Sequence, residues 1–206
     1  MTTATRSLTQ ISHDLPDAVS VGEGRSFPLK AMGPEDREQL QGFAESLSGD
    51  DMLALHSDIA NGAVVDRWMT DIQMGRTLTI LAQDGMVLAG LGSLYLSATS
   101  WSRHIGEIQV IVNPSHRGMH LGQRLSEAVL AVADQLGLAR VVAQIPNDHP
   151  AVQGAFRRLG FEPITLLPGF ALGPDGAERD LLLMSHTLPL AGGPAEAEWL
   201  RLPWGR

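Results

Sequence analysis

The stretch NPSHRGMHLGQRL, Asn113–Leu125, separates an apolar run from a long amphipathic pattern. The nine residues before it, HIGEIQVIV at 104–112, alternate in the way that a β-strand does. From the last residue of the stretch onward, apolar side chains recur at i, i+3, i+4, i+7, i+8 and i+11, namely Leu125, Ala128, Val129, Val132, Ala133 and Leu136. This spacing predicts one helix with a continuous apolar face, ending near Gly137. The stretch is therefore predicted to be the loop between a strand and a helix.

Such a loop presents unpaired backbone N–H groups at the positive end of the helix, where an anion is stabilised by roughly 0.3–1 kcal/mol. Gly118 and Gly122 would let a phosphate approach the backbone, and Arg117 would add a positive charge. The residues by themselves leave two interpretations open, a phosphate-binding loop and a plain strand-to-helix turn. Other motifs of phosphate or nucleophile sites, G-x-x-x-x-G-K-[ST] and G-x-S-x-G, do not occur in the sequence.

Strands and helices alternate along the rest of the chain. The sequence predicts a strand at 26–32, helical stretches at 33–47 and 51–72 (the second broken near Asn61-Gly62), and a hairpin around Gln83-Asp84-Gly85. The segment from Ile105 to Ile145 is a strand–helix–strand crossover, which implies a parallel pair in a mixed sheet. A helix from Pro150 and two final strands complete an α/β fold with three layers, in which the other strands can be antiparallel.

Residues 26–189 are predicted to form this domain. Residues 1–25 are aperiodic and rich in Ser and Thr, which predicts a loose N-terminal arm. Residues 190–206 are predicted to be a C-terminal tail, whose Trp199 and Trp204 would dock on the body or on a second copy.

The composition argues against several classes of protein. The 206 residues, 44% hydrophobic and 18% charged, suit one soluble globular domain. A formal net charge of -8 argues against a general nucleic-acid binder, which needs a basic face. The lack of cysteine excludes disulfides, thiolate metal sites and cysteine nucleophiles. With no signal-peptide core and no apolar run near the ~20 residues of a membrane span, the sequence predicts a cytoplasmic protein without a membrane partner.

The strand before the loop carries two polar residues where a central strand is normally apolar on both faces. Glu107 and Gln109 share one face of HIGEIQVIV with Ile105 and Ile111. A buried carboxylate is costly without partners, so this part of the sheet is predicted to open into a wet cleft. The alternative is a structural Glu107 paired with a base such as Arg103 or Arg140.

Taken together, HIGEIQVIVNPSHRGMHLGQRLSEAVL and NDHPAVQGAFRRLGFE make the chain resemble the GNAT superfamily of acyl-CoA-dependent N-acyltransferases, over roughly Phe27 to Leu188. The family loop has the pattern Arg/Gln-x-x-Gly-x-Gly/Ala, which residues 117–122 match except at His120. The resemblance implies a three-layer α-β-α domain with a mixed, mostly antiparallel central sheet and a splayed pair of parallel strands.

The resemblance also implies a site for acetyl-CoA as the acyl donor. Its pyrophosphate would lie on the backbone amides from Arg117 to Gly122, its pantetheine would run along the preceding strand, and Asn147 would reach the pantetheine or thioester. The implied cofactor-binding residues are Val110, Ile111, Val112, Arg117, Gly118, Met119, His120, Leu121, Gly122 and Asn147. His104, His116 and His120 lie near this loop, but no other obvious metal ligands accompany them, so no metal is expected.

Two residues depart from the family pattern. His120 replaces the middle glycine and would cost about 1 kcal/mol if its φ is positive. Phe156 stands where many members carry a tyrosine that protonates the leaving thiolate, and the chain's one tyrosine, Tyr95, is on another strand. Because the attacking amine must lose a proton, a general base is needed, and Glu107 is the predicted base with His104 as the second candidate.

The sequence therefore predicts an N-acetyltransferase that acts on a primary amine, either a small molecule or a protein lysine, by direct attack on the thioester. The alternatives are a catalytically weak or inactive acyl-CoA-binding regulatory module of the same fold, and a CoA-independent scaffold whose tail tryptophans bind a partner. Acidic residues between about Pro34 and Ile72 suit a cationic acceptor or form a solvated helical face. A homodimer is the expectation for the family.

Overall fold

Eight strands form one mixed sheet in the computed structural model, which describes residues 8–55 and 59–189. The spatial order of the strands is β1-β2-β3-β4-β5-β6-β8-β7, and every adjacent pair except β5 and β6 is antiparallel. The strands are β1 Ala18–Ser20, β2 Ser26–Ala31, β3 Thr77–Asp84, β4 Val87–Leu96, β5 Ile105–Val112, β6 Arg140–Pro146, β7 Glu162–Leu172 and β8 Glu178–Thr187.

Helices cover both faces of this sheet and complete the predicted three-layer architecture. They are α1 Leu8–Ser12, α2 Arg37–Glu45, α3 Gly49–Ala54, α4 Gly62–Gln73, α5 Leu121–Gln135 and α6 Pro150–Arg158. The helical stretch that was predicted to break near Asn61-Gly62 is α3 and α4, and the Asn61 side chain accepts a hydrogen bond from the Ala63 N–H at the start of α4.

The core has two parts, one on each face of the sheet. On one face, Leu125 and Val129 of α5 pack with Phe156 of α6 and Ile108 of β5. On the other face, Phe43 of α2 and Trp68 of α4 pack over a cluster that includes Ile111 of β5. Strand β5 therefore sends alternate side chains into both cores, as its sequence predicted.

The predicted parallel pair is present, and its strands diverge. Pairing of β5 with β6 consists of Ile105 with Arg140, Gly106 with Val141 and Glu107 with Val142. Beyond Glu107, β5 continues to Val112 and β6 to Pro146 without pairing to each other. The edge of β5 that faces β6 therefore has no strand partner over 108–112.

Residues 8–25 are not a loose arm, which corrects part of the prediction for 1–25. Ile11 of α1 is fully buried in the core on the α5 side, and Leu8 and Val21 are buried with it. Strand β1 pairs with β2 through Ala18–Ser20. The stretch lacks internal periodicity, so only the tertiary contact reveals its apolar residues as core. Residues 1–7 and the predicted tail at 190–206, with Trp199 and Trp204, lie outside the described residues.

No helix in the described ranges has the length and apolar character needed to cross a bilayer.

Candidate functional site

A cavity of about 560 Å³ lies where β5 and β6 diverge. Its walls come from α3, β5, the loop before α5, the first turns of α5, β6 and α6. Of the residues predicted for the site, Val110, Ile111, Val112, Arg117 and Gly122 line it. The wall formed by α6 is mainly apolar and includes Phe156. The splay therefore makes room for an extended ligand between two strands.

The loop that closes one end of the cavity begins with a short 3-10 turn, Pro114–His116. The Asn113 side chain accepts from the Ser115 N–H at 3.1 Å and so caps this turn. Gly118 then adopts φ 79° and His120 φ 63°, after which α5 begins at Leu121. Two left-handed residues in three positions turn the chain sharply, so that the backbone N–H groups converge at the start of α5.

These N–H groups are open donors. The Arg117 N–H donates to Pro114 O at 3.4 Å, and the next backbone N–H that finds an acceptor is Arg124, which donates to His120 O at 3.1 Å. Among the described residues, none of the backbone N–H groups of 118–123 has a protein acceptor. The row of N–H groups without a protein acceptor is therefore 118–123, one residue later than the sequence predicted, and donors of this kind at a helix start suit an anion.

The side chains of the loop have varied environments. Leu121 is buried in the core and Met119 packs against that core, so these two residues offer only their backbone to a ligand. The His120 side chain is exposed, and the backbone of His120 has a positive φ. For this conformation a strain of about 1 kcal/mol was predicted. A Cβ on Gly122 would lie 3.3 Å from Val112 Cγ2, so a larger residue would crowd the cavity wall.

A partly buried hydrogen-bonded network fixes the loop to the rest of the domain, and no pattern in the sequence predicted it. Ser115 Oγ donates to Asn113 Oδ1 at 2.7 Å and lies 2.9 Å from His116 Nδ1. His116 is buried, and its Nε2 lies 3.1 Å from Asp84 Oδ2 at the end of β3. Arg25 contacts the same carboxylate oxygen at 3.2 Å. The β3–β4 hairpin thereby anchors the turn from which the open amides follow.

Arg117 contacts protein groups on two sides. Its Nε donates to Val112 O at 3.2 Å, and its Nη2 donates to Asp51 Oδ1 in α3 at 2.6 Å. The Arg117 side chain is 47% exposed and that of Asp51 17%. The Arg117 guanidinium, which was predicted to contact a phosphate, thus already forms an ion pair with the carboxylate of Asp51 in α3.

Glu107 lies beside the cavity rather than in its wall. Gln144 of β6 lines the cavity and donates a hydrogen bond from Nε2 to Glu107 Oε1 at 3.3 Å. The second base candidate, His104, precedes β5, and neither its side chain nor that of Glu107 is part of the lining. Arg140, considered as a partner of Glu107, donates to Ser185 Oγ at 3.1 Å.

Tyr95 is the cross-strand neighbour of Glu107, so both side chains project from the same face of the sheet. The Tyr95 ring stacks on the Trp68 indole, with the ring centroids 6.5 Å apart. Burial raises the pKa of Tyr95 well above its ordinary value, and the negative charge of Glu107 acts in the same direction. This tyrosine is therefore a proton-bearing group next to the candidate base, a placement that the sequence did not predict.

The end of β6 and the start of α6 form the remaining wall. Asn147 is exposed and does not line the cavity, although Pro146 and His149 near it do. Phe156 packs edge-to-face on Phe161, with the centroids 4.9 Å apart, and so presents no hydroxyl group to the cavity. His149, for which no role was predicted, is the one histidine in the described cavity wall.

The arrangement suits an elongated ligand with an anionic group. The anion would lie on the open amides of 118–123, and the extended part would follow the free edge of β5. No group of three or more His, Asp or Glu side chains in the described part of the chain could bind a metal ion.

Comparisons with known proteins agree with this geometry. The family model described as Acetyltransferase (GNAT) family matches residues 47–161. No curated protein matches the chain. The match to the family model covers α3 through α6 and thus every wall of the cavity.

Solved structures with the same fold are numerous and distant in sequence. A ribosomal-protein-alanine N-acetyltransferase from Brucella melitensis is 20% identical, with TM-score 0.69, and the match covers 78% of this chain and 99% of that one. The GNAT domain of S. lividans PAT is 17% identical, with TM-score 0.71 and coverage of 86% and 98%. A phosphinothricin acetyltransferase from Sinorhizobium meliloti, solved with acetyl-CoA, is 18% identical, with TM-score 0.67 and coverage of 84% and 98%.

Proposed function

Because this chain belongs to the GNAT family of acetyltransferases, we propose that it transfers an acetyl group from acetyl-CoA to a primary amine. The acceptor is a small molecule or a protein lysine. The observation that carries this proposal is the row of open backbone donors at 118–123 beside a cavity between splayed strands. An acyl-CoA has the matching chemistry, since it joins a diphosphate to a long, narrow arm that ends in a thioester.

The residues present fit such a ligand. The amides from Gly118 to Gln123 would bind the pyrophosphate, with Arg117 supplying charge. Val110, Ile111 and Val112 would bind the pantetheine along the unpaired edge of β5. Met119, His120, Leu121 and Gly122 would act through their backbone, and Asn147 would contact the arm from the end of β6.

When bound, acetyl-CoA supplies the thioester whose acyl carbon bonds to the amine nitrogen as its carbon–sulfur bond breaks. Glu107 would accept the proton that the nitrogen loses, directly or through a water, and Gln144 would fix the orientation of its carboxylate. Phe156 offers no acid, so the thiolate would take its proton from solvent.

The test of this proposal compares Glu107→Gln with wild type after acetyl-CoA binding has been measured by calorimetry. Wild type is expected to bind acetyl-CoA and to acetylate at least one member of a broad amine panel. Glu107→Gln is expected to retain the affinity for acetyl-CoA and to lose roughly 10²–10⁴-fold in rate, the usual contribution of a general base. His104→Gln is the matched control, because His104 was the second candidate.

Loss of rate in His104→Gln together with full activity in Glu107→Gln would identify His104, rather than Glu107, as the general base. Failure of wild type to bind acetyl-CoA at millimolar concentration would contradict the proposal as a whole.

A second candidate function is a regulatory module that binds acyl-CoA without turnover. The apolar Phe156 in the cavity wall favours it, since the expected acid is missing. Micromolar binding of acetyl-CoA together with no product from any amine in the panel would support this function over the enzyme.

A further inference from the structure

The ion pair of Arg117 with Asp51 links the cofactor loop to the opposite side of the cavity. Asp51 belongs to α3, which packs on the face of the sheet that carries Glu107 and Ile111. Both Asp51 and Arg117 line the cavity. The two residues are 66 positions apart in sequence, so the contact depends on the fold.

The negative charge of Asp51 is fixed in place. Its Oδ2 accepts the Ser48 N–H at 2.9 Å and the Ser48 hydroxyl at 2.8 Å, which leaves Oδ1 directed at Arg117. Although burial opposes ionisation, the hydrogen bonds from Ser48 and the Arg117 cation hold the pKa of Asp51 below its ordinary value. The carboxylate is therefore ionised at neutral pH.

This fixed charge competes with an anionic ligand for Arg117. A diphosphate on the amides of 118–123 is attracted by the guanidinium, whereas Asp51 offsets that positive charge at a distance of 2.6 Å. Asp50 lines the same cavity and adds a second negative charge. Asp51 therefore weakens the attraction of the Arg117 guanidinium for the diphosphate, and this effect is larger in a partly buried site than in open water.

We infer that Asp51 is a positioning residue that restrains Arg117 and couples binding of the acetyl-CoA diphosphate to the position of α3. The inference rests on the proposed function. Binding of the diphosphate draws Arg117 away from Asp51, and α3 loses the ion pair that fixes it to the cofactor loop.

The first test measures the Kd of acetyl-CoA for Asp51→Asn by calorimetry. The asparagine keeps an oxygen for Ser48 and removes the charge, so affinity is expected to rise about twofold to fivefold, the scale of one partly exposed ion pair. The gain should shrink as salt is added. In an Arg117→Gln background, the Asp51→Asn substitution should change the Kd by less than twofold.

Asp50→Asn is the matched control, since Asp50 lines the same cavity without a hydrogen bond to Arg117. An equal gain in Asp50→Asn and Asp51→Asn would mean a general charge effect and would overturn the inference. Unchanged or weaker binding in Asp51→Asn would also overturn it. Absence of acetyl-CoA binding by wild type is a different result, because it contradicts the proposed function itself.

A second measurement needs no variant. Hydrogen exchange of the amides in 48–55 is expected to become faster when acetyl-CoA is added to wild type, as α3 loses its ion pair. Slower or unchanged exchange in that segment on saturation with acetyl-CoA would refute the coupling of the cofactor loop to α3.

Discussion

Replacement of His120 by glycine is expected to stabilise the folded protein. Among residues 8–55 and 59–189, His120 is the only non-glycine residue with positive φ, at φ 63° and ψ 10°. Its side chain is exposed, and in that part of the chain the imidazole makes no hydrogen bond to protein. The glycine variant therefore removes backbone strain and little else.

The magnitude follows from two opposing contributions. The left-handed conformation costs an L-residue about 1–2 kcal/mol, with histidine near the lower end. Glycine gives the unfolded chain extra entropy of roughly 0.5 kcal/mol. The difference is a gain of about 0.5 kcal/mol, or roughly 1–2 °C in Tm for a protein of this size.

Gly118→Ala supplies a control of opposite sign. Gly118 has φ 79°, and no atom lies within 4 Å of an added Cβ, so the substitution adds strain without a clash. A loss of about 1 kcal/mol is expected after the entropy of the unfolded chain is taken into account. Urea denaturation of both variants and of His120→Ala measures these differences.

If His120→Ala stabilised the protein as much as His120→Gly, backbone strain at position 120 would be disproved, because alanine keeps the strained φ. A Gly118→Ala variant as stable as wild type would likewise disprove a cost of positive φ in this loop.

Three other predictions concern the site and its support. Tyr95 is the chain's single tyrosine, so absorbance near 295 nm follows it alone. Burial and the charge of Glu107 raise its pKa, so no tyrosinate should form near pH 10 in the folded protein, and Glu107→Gln should lower the midpoint. A midpoint near 10 in wild type would contradict this placement. Phe156→Tyr is expected to raise kcat severalfold by restoring an acid, measured as CoA release; an unchanged kcat would show that the leaving thiolate needs none. Gly90→Ala places a Cβ 2.9 Å from the backbone oxygen of Ile111, so a loss of about 1–3 kcal/mol is expected in thermal denaturation, and a Tm equal to wild type would disprove that close approach.

Much of the fold was predictable from local patterns. The amphipathic spacing after Leu125 predicted α5, the alternation in HIGEIQVIV predicted β5, and the crossover predicted the parallel pair. Each of these predictions rests on residues in the same element or in consecutive elements. The pattern that reveals the element is therefore visible in the sequence without a tertiary structure. The loop's glycines and its place before a helix likewise predicted the open amides.

Contacts between distant segments could not be predicted in the same way. The ion pair of Arg117 with Asp51 and the contact of His116 with Asp84 each join separate elements, as does the register of Tyr95 with Glu107. Residues 8–25 were predicted to be loose because burial of Ile11 has no periodic signature in so short a helix.

The sequence by itself determined most of the strands and helices between 26 and 189 and the loop whose backbone amides lack protein acceptors, because those features follow from neighbouring residues. The tertiary structure alone decided which charges face that loop and which groups flank Glu107. The reason is physical: charges and hydrogen-bonding groups act over a few ångströms in space, whatever their separation along the chain.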